Sequence, residues 1–351
     1  MNIHEKYINR CIQLAKNGLG TTRPNPMVGC VIVCNDKIIG EGYTSPYGGS
    51  HAEVNAIESV GDKSVLSRAT LYVSLEPCSH FGKTPPCSDL IVKYKLKRVV
   101  VGVVDAHSIV SGKGITHLKS SGIDVVVGVL EKECLGINQR FFTYHQKKRP
   151  YIILKWAQTK DGFIDKKRGA AAENLPNWIS NKYSQQLVHK WRGEEQSILV
   201  GTNTVITDNP RLNVRSYKGE NPIRLVLDNS YRIPKDSRVF DGSVKTIVFT
   251  SSKMLFPDDK ENLHIEVIDY SKSLPQQICD VLFQNEIQSV IIEGGAQTLQ
   301  SFINENLWDE ARIFTGDVFF KEGLKAPEIR GVEKEYIQIF SDSLRIMTPY
   351  K

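Results

Sequence analysis

The feature that most constrains this chain is a pattern that runs to completion and then begins again. In the first half strand-like and helix-like segments alternate. "VGCVIVCNDKIIGEGYT" reads as a hairpin turning at Asn35 and Asp36, "HAEVNAIESV" as a helix, "ATLYVSLEP" as a strand and "SDLIVKYKL" as a helix. Apolar positions two apart mark the strands, and spacings of three and four mark the helices. "RVVVGVVD", "GITHLKSSG" and "IDVVVGVL" continue as strand, helix and strand, and "EKECLGINQRFFTYHQ" reads as one further helix. Such alternation demands a sheet covered by helices, an α/β layered domain.

The basic run Lys147 to Pro150 closes this series and reads as a linker. Beyond it "YIILKWAQT" is a strand leading to an Asp161-Gly162 turn, and "SNKYSQQLVHKWRGE" is a helix starting near a Ser cap. The strands "SILVG", "IRLVLD", "KTIVFT" and "HIEVID" follow, then the helix "SLPQQICDVLFQNE", the strand "SVIIEGG" and the helix "AQTLQSFINENL". "DEARIFTGDVFF" reads as a last strand pair. Two α/β domains, 1–147 and 150–351, are therefore expected. The length of 351 residues agrees, since one core usually supports roughly 100 to 200 residues.

Composition narrows the class. With 40% hydrophobic and 24% charged residues the chain matches an ordinary globular protein. Its seven cysteines, an odd number spread over the whole length, do not form a disulfide framework and fit a reducing cytoplasm. The N-terminal stretch has helical spacing and no continuous apolar core, and no run approaches the ~20 apolar residues that span a bilayer. A cytoplasmic protein with no membrane partner is expected. The net charge of +6 suits phosphorylated small molecules as well as a plain basic surface. No interleaved basic and aromatic patch tracks a phosphate backbone, so no nucleic-acid partner is expected.

Two short blocks concentrate the chemistry of the first half. "SHAEVNAI" carries His51 and Glu53 in what reads as the first turn of a helix, and "EPCSHFGKTPPC" carries Cys78 and Cys87. Three protein ligands, His51, Cys78 and Cys87, leave the fourth tetrahedral position of a zinc ion open, as a catalytic site requires. Such an ion lowers the pKa of its water from 15.7 toward about 7. Glu53 is then the carboxylate that carries a proton from water to a leaving amine. An H-x-E followed by a Pro-Cys and a second Cys is the signature of zinc deaminases. A structural zinc would need a fourth ligand; His80 is the nearest candidate, but two residues after Cys78 it reads as aimed at substrate. Cys11, Cys30, Cys34, Cys134 and Cys279 read as buried apolar residues.

The generic deaminase signature separates its two cysteines by two residues, whereas eight, "SHFGKTPP", intervene here. That insert, with "RPNPMVGCVIV", "GEGYT", "LYVSLEPCSHFGKTPPC" and "DAHSIVSGKGI", resembles the deaminase half of the bifunctional riboflavin-biosynthesis pyrimidine deaminase/reductase family. "YIILKWAQTKDGFI", "NWIS", "WRGEEQSILVGTNTVITDNPRLNVR", "IRLVLD" and "VIIEGGAQTL" are similar, in order, to its reductase half. The resemblance implies a cytidine-deaminase-like three-layer domain followed by a dihydrofolate-reductase-like domain, with Zn2+ and NADPH as cofactors. It implies that a phosphorylated pyrimidine riboside loses its 2-amino group and has its ribosyl group reduced to ribityl, in a homo-oligomeric enzyme.

Carried over residue by residue, the resemblance makes Glu53 catalytic and His51, Cys78 and Cys87 the zinc ligands, with Asn25, His80 and Lys83 contacting substrate. In the reductase half it gives Ala157, Trp178, Thr204, Asp208, Asn229, Gly294, Gly295 and Ala296 to NADPH, and Lys155, Arg192, Leu212, Arg215 and Glu293 to substrate. The sequence departs from the family at Thr44, commonly His, at "DAHS" from Asp105, often "DPNP", and at Pro176, where a small Ser is often found. Read from its residues alone, the Glu293-Gly294-Gly295 turn suits a phosphate about as well as an ordinary strand-to-helix connection. A nucleoside or tRNA deaminase with a C-terminal binding domain is the alternative reading of the whole chain.

Overall fold

Asn35 and Asp36 take positive φ, 50° and 59°, the conformation that joins two strands with the twist of a tight hairpin. They connect β1 (Gly29–Cys34) to β2 (Lys37–Tyr43), with Cys34 opposite Lys37. The structure, a computed structural model, describes residues 2–81, 85–106, 111–167, 177–252 and 262–350. The chain divides into two units, Met1–Lys148 and Arg149–Lys351.

The first unit is a five-stranded sheet in the order β2-β1-β3-β4-β5, completed by β3 (Thr70–Leu75), β4 (Arg98–Val103) and β5 (Asp124–Val127). The hairpin and β1–β3 pairs are antiparallel, while β3, β4 and β5 run parallel. Strands β1, β3 and β4 are buried along nearly their whole length, as strands covered on both faces must be. Helix α1 (Ile3–Ala15) opens with a capping box between Asn2 and Glu5 and buries Tyr7, Ile8, Cys11 and Ile12 against this sheet. It lies so close to β1 that a Cβ on Gly29 would stand 1.9 Å from the Cys11 carbonyl oxygen. Among the described residues the other α-helices of this unit are α2 (Ala52–Glu58), α3 (Cys87–Lys93), α4 (Lys113–Ser120), α5 (Glu131–Ile137) and α6 (Gln139–Lys147).

The single helix expected over "EKECLGINQRFFTYHQ" is two. Asn138 breaks it, because its side chain turns away to bond the backbone of Met27, accepting from the N–H and donating to the carbonyl, both at 2.8 Å. A long-range bond of this kind overrides local helical spacing.

The second unit is a nine-stranded sheet in the order β11-β10-β9-β8-β12-β6-β13-β16-β15. In chain order its elements are β6 (Tyr151–Thr159), β7 (Phe163–Lys166), α7 (Lys182–Glu194), β8 (Ser197–Gly201), α8 (Thr202–Asp208), β9 (Ile223–Leu227) and β10 (Thr246–Thr250). Then follow β11 (Leu263–Val267), α9 (Leu274–Gln284), β12 (Ser289–Ile292), α10 (Ala296–Asn304), β13 (Glu310–Gly316), β14 (Gly323–Lys325), β15 (Val332–Ile339) and β16 (Asp342–Thr348). All neighbours from β11 to β13 are parallel; β16 and β15 add an antiparallel edge, and β7 pairs with β14 as a separate ribbon.

Alternate residues of β6 serve two cores. Ile152, Leu154 and Trp156 join one cluster, and Tyr151 and Ile153 the other, each buried side chain contributing roughly 1.5 to 3 kcal/mol. Two expectations change. The cap of α7 is Asn181, whose side chain accepts from the N–H groups of Tyr183 and Ser184 at 2.9 and 3.1 Å, and not the preceding Ser180. The expected strand pair at "DEARIFTGDVFF" is the single strand β13, because Lys160 N–H bonds the Val318 carbonyl and Asp161 takes the N–H groups of Phe320 and Lys321. These bonds commit the segment after Gly316 to a turn.

Candidate functional site

In the first unit three soft or borderline donors converge. His51 is the N-cap of α2, one residue before the turn in which it was expected, and Glu53 occupies that first turn. Cys78 follows β3, and Cys87 is the first residue of α3, after the Pro86 N-cap. The Cys87 N–H donates to Cys78 Sγ at 3.3 Å. His51 Nδ1 lies 3.6 Å from Cys78 Sγ and 3.3 Å from Cys87 Sγ, and the three donor atoms fall within 4.8 Å of one another. Tetrahedral zinc with nitrogen and sulfur ligands separates such donors by about 3.5 Å, so the residues fit the ion. Among the described residues no fourth His, Cys, Asp or Glu joins them.

The electrostatics call for a cation. The side-chain contact between the two cysteines pulls the Cys78 thiol well down, while the same contact, with burial, pushes Cys87 well up. One thiolate forms readily and a second only with added positive charge. Glu53 is 4% exposed; burial, reinforced by Cys78, pushes its carboxyl up to about 7, where a group can both take and give a proton near neutral pH.

Of the other expected contacts in this unit, His80 is exposed two residues after Cys78, and Asn25 is half-buried in the segment before β1, its N–H bonded to the Thr22 carbonyl at 2.9 Å. Lys83 lies outside the described residues, as do His107 and Ser108 of "DAHS". Thr44 is buried and its hydroxyl accepts from the Val28 N–H at 3.1 Å, so it braces the sheet. Sequence reasoning passed over Glu76. Its buried carboxylate accepts from the N–H groups of Asp105, Gly112 and Ile115 at 3.2, 2.9 and 3.1 Å. The only signal was an acidic residue wedged between a strand and Pro77-Cys78.

The second unit holds a cavity of about 880 Å³, within the size range of small-molecule sites. Ala157, Trp178, Thr204, Asp208, Gly294, Gly295 and Ala296, expected at the cofactor, all line it, and so do Lys155, Arg192, Leu212, Arg215 and Glu293, expected at the substrate. Asn229 is not brought there. It sits exposed in the turn after β9, its carbonyl accepting from the hydroxyls of Thr250 and Ser251. Pro176 lies outside the described residues.

One wall is an ion cluster. Glu293, at the end of β12, accepts two bonds from Arg192 of α7, at 2.9 and 2.7 Å, and lies 3.7 Å from the Lys155 ammonium. Burial would raise its carboxyl, but Arg192 and Lys155 hold it down to about 2. His189, one turn before Arg192, accepts from the Arg215 N–H at 3.2 Å; burial and the two guanidiniums push it down to about 4, so it stays neutral and fixes Arg215. The two residues after Glu293 form the Gly294-Gly295 turn. A Cβ on Gly294 would stand 2.9 Å from Thr204 Oγ1, the atom that accepts from the Gly295 N–H at 2.9 Å. The turn is thus pressed against α8 and bare of side chains on the cavity wall, which suits a cofactor approaching backbone. Arg211, Arg232 and Arg238 also line the cavity; nothing in their local sequence distinguishes them from surface arginines.

Residues 1–103 match the cytidine and deoxycytidylate deaminase zinc-binding region, and residues 150–322 match the RibD C-terminal domain. Riboflavin biosynthesis protein RibD of Aquifex aeolicus is 40% identical over 336 residues, covering 95% of this chain and 92% of that one. The chain belongs to the RibD family. The Bacillus amyloliquefaciens RibD is 37% identical over 333 residues, covering 93% and 88%. Among solved structures, the diaminohydroxyphosphoribosylaminopyrimidine deaminase/5-amino-6-(5-phosphoribosylamino)uracil reductase of Thermotoga maritima aligns with a TM-score of 0.88 at 36% identity over 99% of both chains. RibD of Acinetobacter baumannii aligns with a TM-score of 0.88 at 32% identity, again over 99% of both. As a RibD, the protein is a bifunctional enzyme of riboflavin biosynthesis, a zinc deaminase followed by an NADPH-dependent reductase of dihydrofolate-reductase-like fold.

Proposed function

We propose that the first unit deaminates 2,5-diamino-6-(5-phosphoribosylamino)pyrimidin-4(3H)-one and that the second reduces the product, 5-amino-6-(5-phosphoribosylamino)uracil, to its ribityl form. The observation that carries the first step is the three-donor cluster of His51, Cys78 and Cys87 beside the buried Glu53. When bound, zinc supplies Lewis acidity and an acidified water, and NADPH supplies a hydride. Glu53 takes a proton from the attacking water and delivers it to the departing 2-amino nitrogen, so that water and the amine become a carbonyl and ammonia. His80, Asn25 and Lys83 orient the pyrimidine riboside phosphate.

In the second unit Lys155, Arg192 and Arg215 present positive charge to the phosphorylated substrate, and Glu293 fixes the first two in place. Ala157, Trp178, Thr204, Asp208 and the Gly294-Gly295-Ala296 turn form the cofactor side of the cavity. Reduction places a hydride on the anomeric carbon of the ring-opened imine and a proton on its nitrogen. Substrate and cofactor are small molecules, and no nucleic acid takes part.

No described helix is long and apolar enough to cross a membrane. None of the seven cysteines is in a disulfide, which supports a reducing cytoplasm. The edge strand β15, with Tyr336 exposed on it, supports a homo-oligomer, since an open edge is a template for further pairing; light scattering tests this. A coupled assay of ammonia release and NADPH oxidation tests the two reactions. Oxidation is expected with the deaminated substrate alone, and with the diamino substrate only after ammonia appears. Oxidation of NADPH by the diamino substrate without ammonia release would overturn the assigned order.

A further inference from the structure

The arginines of the reductase cavity fall into two neighbourhoods. Arg211 and Arg238 stand within electrostatic reach of Arg215, whose guanidinium they help to destabilise, on the side shared with Arg192 and Glu293. Arg232 is held elsewhere. Its Nη2 donates to Asn203 Oδ1 at 2.9 Å, and Asn203 is the residue before Thr204, whose hydroxyl takes the Gly295 N–H. Arg232, Asn203 and Thr202 all face the same cavity.

The turn that carries Arg232 is built for rigidity. The N–H groups of Arg232 and Ile233 donate to the two carboxylate oxygens of Asp228 at 3.0 and 3.1 Å, and Asp228 is fully buried at the end of β9. A carboxylate at the end of a strand can accept hydrogen bonds from the ribose hydroxyls of NADH, and an arginine there accommodates the extra phosphate of NADPH. Here the carboxylate is spent on its own turn and turned inward. What reaches the cavity is a guanidinium hydrogen-bonded to a neutral amide, and among the described residues no carboxylate pairs with it. Its planar fork matches phosphate oxygens two at a time.

We propose that Arg232, steadied by Asn203, receives the 2′-phosphate of the dinucleotide and sets this enzyme's preference for NADPH over NADH. The proposal rests on the reading of the cavity as the dinucleotide site. It assigns no part in hydride transfer to Arg232, which acts only on which cofactor binds.

Equilibrium binding to the full-length protein provides the test, with NADPH, NADH, 2′,5′-ADP and 5′-ADP as probes. Arg232→Ala is expected to weaken NADPH and 2′,5′-ADP by about 30-fold while leaving NADH and 5′-ADP within about 2-fold of wild type. Arg232→Lys is expected to recover part of the loss, since it keeps the charge without the fork. Equal weakening of both members of each pair, or no change in either, overturns the proposal. Failure of the wild-type protein to bind any of the four probes overturns the cavity assignment and the proposal with it. A thermal transition matching wild type shows that the Arg232→Ala loss is local.

Discussion

Glu53 and Glu293 are both buried carboxylates, and their surroundings drive them in opposite directions. Glu53 is raised to about 7 by burial, whereas Glu293 is held at about 2 by Arg192 and Lys155 in spite of burial. The first is therefore suited to moving a proton and the second to permanent charge. Glu53→Gln should lower ammonia release by about 10²-fold or more, with zinc content and NADPH oxidation on the deaminated substrate retained; loss of both activities in a folded, zinc-loaded variant would refute separate sites. For Glu293 the folded pKa lies below the ordinary 4.5, so its contribution is complete above that pH and is lost as pH falls toward 2. That contribution is on the order of 3 kcal/mol. Thermal melts of wild type and Glu293→Gln should differ most near pH 7 and converge as pH falls from 4.5 toward 2; a gap independent of pH would contradict the assignment.

At the scale of elements, the metal cluster depends on where three segments end. Cys78 leaves β3, Cys87 starts α3, and Glu76 binds the end of β3 to the segment entering α4 through three backbone N–H groups. One of its oxygens serves Asp105 and Gly112 and the other serves Ile115; a carboxamide has only one accepting oxygen, so its NH2 would face an N–H donor. Glu76→Gln should destabilise the deaminase unit by about 1 to 3 kcal/mol and reduce its kcat while zinc stays bound. Calorimetry beside metal analysis checks this, and an unchanged melting temperature would remove Glu76 from the role. These elements also show where sequence patterns are readable. The Asn35-Asp36 hairpin was legible because its turn chemistry is local, and β6 because its run of apolar residues is long. The break at Asn138 was not, because its cause is Met27, far away in the chain.

At the scale of the whole molecule, two units carry two chemistries with separate requirements. The three residues proposed to hold zinc all belong to the first unit and the cavity residues all belong to the second. Removing zinc with a chelator should abolish ammonia release and leave NADPH oxidation on the deaminated substrate within about 2-fold of its starting rate, zinc restoring the first activity. Parallel loss of both activities, recovered together on adding zinc, would tie the reductase to the metal.

The sequence by itself determined the two-part α/β organisation, since alternating apolar periods and a basic break are properties of adjacent residues. It also pointed to metal chemistry, because His51, Glu53, Cys78 and Cys87 stand in two short blocks whose three metal-binding side chains would leave one tetrahedral position open. Tertiary structure decided the rest. It brought Arg192 of α7 and Lys155 of β6 to Glu293 of the β12 end, pressed Gly294 against Thr204, gave Glu76 its clamp and left Asn229 outside the cavity. Each of these depends on residues far apart in the chain, and partners of that kind leave no local periodicity to read. The pKa of a buried group follows from the charges packed around it, so the contrast between Glu53 and Glu293 existed only once the fold had closed over both.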